Sequence, residues 1–131
     1  MNMESAARLV EQFENGTLPK EEWTHTAHCV MAFWYCVRHP LPVAVRKIRE
    51  GIQAYNGPHS DGYHETVTLF YTATIARYVV TTGVAALTDE QIALFESQPF
   101  LAKGYAHQYY SAERLKDARH RWLPPDRRFS E

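Results

Sequence analysis

The chain has 131 residues, 45% of them apolar and 22% charged, which suits one globular domain able to bury a core without a disulfide or a structural metal. Its 14 Lys plus Arg against 15 Asp plus Glu leave a formal net charge of −1, so nothing pulls it generally toward nucleic acid or an anionic membrane. No apolar run approaches the ~20 residues that span a bilayer, and Glu4 and Arg8 interrupt any apolar stretch at the N-terminus, so the expectation is a cytoplasmic protein with no signal peptide.

The breakers divide the sequence into five or six helical pieces. The first runs from about Glu4 to Glu14, with Ala7, Val10 and Phe13 on one side, and Asn15-Gly16 ends it. Thr17 to Glu22 reads as a helix start, with Pro19 at a first helical position and Glu21 and Glu22 at the positive end of the dipole. After a break near Thr24 the second helix continues to about Arg38, where His39-Pro40-Leu41-Pro42 stops it. Cys29 and Cys36 lie in this stretch. They are two helical turns apart, roughly 10 Å of rise, too far for a disulfide, so both are expected as reduced thiols in an apolar region.

The third helix spans Val43 to about Tyr55, because Val45, Ile48, Ile52 and Tyr55 recur at spacings of three and four. Arg46, Lys47, Arg49 and Glu50 fill its other face. Asn56 to Gly62 is the longest loop signal. The fourth helix opens near Tyr63 or His64 and runs to Thr82, with Gly83 as its cap. Its β-branched residues make a strand the rival reading, but its length far exceeds that of an ordinary strand. Thr88 and Gln91 frame a capping box for a shorter helix that ends by Pro99. A last helix starts after Ser111 and stops before Pro124-Pro125, leaving a tail from about residue 124. The expected fold is all-α, a compact bundle forming a single domain over residues 1–131.

One constellation carries chemistry. His25 and His28 stand at i and i+3 and share a helix face within reach of one ion. His64 and Glu65 open the fourth helix directly after the glycine-bearing loop, with Thr68 one turn on from His64. Three histidines with an open position is the layout of a catalytic metal site, so a divalent transition metal, zinc or iron, is expected on His25, His28 and His64. Glu65 would be a fourth ligand or a base acting on metal-bound water. On a regular helix, however, it points about 100° away from His64. The competing reading is a buried polar cluster in which the histidines bond Glu65 and nearby hydroxyls. Tyr63, Thr68, Tyr71 and Arg119 are the expected substrate contacts: the tyrosines flank His64, and a guanidinium suits an anionic group. Residues 112–128 carry Arg114, Lys116, Arg119, Arg121, Arg127 and Arg128, which read first as a solvated face. His59 sits in the loop before His64 and reads as exposed; His107 belongs with Tyr105, Tyr109 and Tyr110; His39 and His120 suggest no role.

The runs Trp23-Thr24-His25-Thr26-Ala27-His28 and Tyr63-His64-Glu65-Thr66-Val67-Thr68, with Tyr109-Tyr110-Ser111 and Pro125-Asp126, resemble a family of small bacterial all-helical proteins of unassigned function. The resemblance covers Phe13 to Asp126 and implies that these segments belong to one site. In outline the layout is also similar to DinB-like bundles, which bind a metal through three histidines. This chain lacks their H-x-x-x-H pair on the last helix.

Two functions follow as expectations. The first is a metal-dependent enzyme acting on a small molecule: a hydrolase, an isomerase or a non-haem-iron oxidoreductase. The second is a non-catalytic helical domain that binds a ligand or partner and keeps its histidines as structure. Neither involves nucleic acid or membrane, and both are compatible with a homodimer. No G-x-G-x-x-G, P-loop or C-x-x-C motif suggests another enzyme class.

Overall fold

The computed structural model describes residues 1–57 and 63–127. His59, most of the loop before His64, and Arg128 lie outside the described residues. The chain forms α1 (Met3–Asn15), α2 (His25–Arg38), α3 (Leu41–Asn56), α4 (Glu65–Thr82), α5 (Asp89–Glu96) and α6 (Ala112–Asp117). Among the described residues, 3₁₀ turns lie at Lys20–Glu22, Pro99–Leu101 and Tyr105–Gln108. Among the described residues there is no strand, so the all-α bundle of five to six helices holds.

α2 is the centre of the bundle. Ala27, Cys29, Val30, Met31, Ala32, Phe33 and Tyr35 are all buried, and successive residues at 100° steps point in every direction around the axis. A helix that is apolar all round must be covered on all sides. α1, α3, α4 and α5 do this, and α3 also packs on α4. The second and fourth helices are therefore in direct contact, as their shared apolar character suggests.

Local signals set the ends. The Thr24 hydroxyl accepts the Ala27 amide, so the break near Thr24 is a capped start with a 3₁₀ turn before it. Gly16 and Gly83 end α1 and α4 in the left-handed region, at φ 76° and 71°. α4 accommodates its threonines by turning hydroxyls back on the preceding turn: Thr72 donates to the Thr68 carbonyl and Thr74 to that of Phe70. This satisfies side chains whose branching would otherwise favour a strand.

The last segment departs from the expected long helix and free tail. α6 stops at Asp117, because the next carbonyls serve another helix. The Glu65 amide donates to the Arg119 carbonyl at 2.8 Å, and the Thr66 amide donates to that of Ala118 at 3.4 Å. The buried Thr66 hydroxyl donates to the Arg121 carbonyl at 2.6 Å and accepts the Leu123 amide at 3.0 Å. Asp126 accepts both the amide and the hydroxyl of Ser111, and the Arg127 amide donates to the Tyr109 carbonyl. Residues 118–127 are thus laid across the start of α4 and back along the turn before α6.

Candidate functional site

A cavity of about 280 Å³ lies between α2, α3 and α4. α2 contributes His25, His28, Cys29, Met31 and Ala32; α3 contributes Ile48 and Ile52. His64 and, from α4, Val67, Thr68, Tyr71 and Thr72 complete the wall. The three histidines singled out by spacing therefore do line one space. So do Thr68 and Tyr71.

Their nitrogens are not equally available. His64 is the N-cap of α4: its Nδ1 accepts the Val67 amide at 3.1 Å. Its Nε2 lies 2.7 Å from the Leu115 carbonyl, which only accepts, so Nε2 carries the proton. Both ring nitrogens are occupied, and the ring ties α4 to α6. Burial lowers the His64 pKa, in keeping with this neutral form. His25 directs Nε2 to the Phe100 carbonyl at 3.1 Å, with the Cys29 sulfur 3.6 Å from the same nitrogen. The His25 ring also meets Tyr71 edge-on, with ring centres 4.9 Å apart.

His28 differs. Its ring stacks on Trp23 at 3.7 Å between centres, and Trp23 in turn stacks on Phe13. Among the described residues its nitrogens have no hydrogen-bond partner, although burial and the neighbouring His25 push its pKa down to about 4. A neutral imidazole with free nitrogens therefore borders the cavity. The Cys29 thiol beside it is pushed up to about 12 by burial, so it is a protonated, unreactive wall group.

Glu65 opens α4 but does not line the cavity. Arg49 of α3 binds its carboxylate at both oxygens, through Nε at 3.0 Å and Nη2 at 2.7 Å, and the Tyr63 hydroxyl donates to it as well. The carboxylate thus fastens α3 to the start of α4, which suits its roughly perpendicular direction to His64. Tyr63 belongs to this cluster. Arg119 sends Nη1 to the Tyr63 carbonyl at 3.4 Å and likewise does not line the cavity. The Tyr71 hydroxyl accepts the Ala106 amide. Among the described residues, no group of three or more His, Cys, Asp and Glu side chains is placed to hold one ion.

Spacing did not reveal the α3 wall, the Trp23 stack or Arg49 as the partner of Glu65. Ile48 and Ile52 were legible as an apolar face, and Arg49 beside them as polar. Only the packing of α3 on α4 shows that one borders the cavity and the other grips its rim. Comparisons with family models, with curated proteins and with solved structures each found no match.

Proposed function

We propose that this protein binds a small organic molecule in the cavity between α2, α3 and α4, with His28 as its principal polar contact. One observation carries the reading: a half-buried imidazole lines the cavity without a hydrogen-bond partner among the described residues. A polar group open toward an apolar cavity is a natural anchor for a ligand or water there. The apolar wall supplies desolvation, while Thr68 and Tyr71 shape the side opposite α2. Glu65, Tyr63 and Arg119 act as structure around the rim in this reading. Tag-free protein should bind small neutral ring compounds, with amide shifts confined in NMR spectra to residues 25–32, 48–52 and 64–72. Perturbations centred elsewhere would reject the assignment.

A second reading is favoured by the convergence of three imidazoles on one space: a metal-dependent enzyme holding zinc or iron on His25, His28 and His64. It requires His64 to give up either the Val67 amide or the Leu115 carbonyl, and His25 to ligate through Nδ1. Metal analysis and zinc titration of the untagged protein test it. Stoichiometric metal lost in His28→Ala would favour this reading over the first.

A further inference from the structure

The chemistry of the wall narrows what the cavity can hold, given that it is the binding site. Among the described residues that line it there is no Asp, Glu, Lys or Arg. A buried charge without a partner is strongly disfavoured. An anionic ligand could supply itself a partner by protonating His28. Burial, which lowers the pKa of that ring, makes this costly. A cationic ligand would find no carboxylate among these residues. Glu65, the acid nearest in sequence to His64, is already held by Arg49 and Tyr63.

The polar groups left open are neutral; His25 bonds Phe100 through Nε2, which leaves its Nδ1 open as well. His28 on α2 offers a ring nitrogen as acceptor and a ring N–H as donor. Thr68, facing the same space from α4, has a hydroxyl with no partner among the described residues. His64, Tyr71 and Thr72 are already engaged through their polar atoms. A hydroxyl group suits this pair, because it can donate and accept at once. The remainder of the wall, Met31, Ala32, Ile48, Ile52 and Val67, asks for an apolar body. The volume is about 280 Å³, compared with the ~150 Å³ apolar cavity that holds a benzene. One substituted ring fits.

We infer that the cavity selects an uncharged, mainly apolar ring compound bearing a hydroxyl group, which hydrogen-bonds His28 and Thr68 and is preferred over its carboxylate counterpart. The inference rests on the small-molecule reading above. Three probes of similar size separate the contributions: phenol, toluene and benzoate, titrated into the full chain near neutral pH by NMR. Phenol should bind about two- to tenfold more tightly than toluene, the ratio expected of one net hydrogen bond. Benzoate should bind more weakly than either. In His28→Leu, checked for folding by circular dichroism, the preference for phenol over toluene should shrink while toluene still binds. Thr68→Val, a milder change on another helix, should reduce the same preference by a few-fold.

Benzoate binding as tightly as phenol would overturn the inference. So would toluene binding with no preference for phenol, or a preference that His28→Leu leaves undiminished; each of these leaves the cavity a binding site. Failure of all three probes to bind would overturn both the inference and the reading on which it rests.

Discussion

At the scale of single residues, His28 decides the chemistry because its surroundings favour one protonation state. Desolvation and His25 act in the same direction, lowering the pKa from 6.5 to about 4. The unfolded chain takes up a proton at this residue below about pH 6.5, whereas the folded chain does so only near pH 4. Above that window the ring is neutral in both states and contributes no pH dependence. Within it, acid favours unfolding, and stability falls by up to ~1.4 kcal/mol per pH unit as pH drops. Urea midpoints should therefore decline from pH 7 to pH 5, and His28→Leu should flatten the decline. Some slope will remain, because His64 is shifted the same way. An unchanged slope in the variant would show that His28 titrates normally. Residue chemistry was legible only in part. His25, His28 and His64 could be grouped from spacing, since one helix turn brackets the first two. Of the hydrogen bonds that occupy His64, the one with Val67 is a local cap, but the one with Leu115, 51 residues away, is encoded by no local pattern.

Among the elements, α1 and α3 meet more closely than helices carrying side chains allow. A Cβ on Gly51 would lie 2.7 and 2.8 Å from two ring carbons of Phe13. Phe13 cannot easily yield, because its ring is buried and stacked on Trp23 at 4.9 Å. In an open helix, replacing glycine by alanine gains up to ~1 kcal/mol. Here the clash should dominate, and Gly51→Ala should destabilise the protein by about 1–3 kcal/mol in urea unfolding. Phe13→Leu in the same chain should recover part of that loss, giving a measurable coupling energy. A stabilised Gly51→Ala would mean the two helices separate at little cost. The helix boundaries were readable because their causes are local: Thr24, Thr88, Gly16 and Gly83 cap where their chemistry allows. The length of α6 was not, because Ala118 and Arg119 give their carbonyls to α4 instead of to their own helix.

For the molecule as a whole, stability should depend on α2 as a single support. Phe33 is fully buried there and stacks on Phe95 of α5 at 4.1 Å, with the rings nearly parallel. Phe33→Ala should cost about 3–5 kcal/mol, a large part of the 5–15 kcal/mol typical of a domain. Since four helices lean on α2, circular dichroism and tryptophan fluorescence should report one coincident transition in the variant, shifted to lower denaturant. Separate transitions would show that α5 unfolds independently. The bundle class itself was legible because its causes repeat along the chain, an apolar face in each helix and breakers between them. The cavity was not, since it belongs to three helices at once.

The crossing of residues 118–127 over the start of α4 also sets an order of events during synthesis. A ribosome releases α2, α3 and α4 well before Leu115, Ala118, Arg119 and Arg121 emerge. Until then the Glu65 and Thr66 amides and the outer nitrogen of His64 lack the carbonyls that hold them. The walls of the cavity can gather early, but its rim is fastened only by a segment made later.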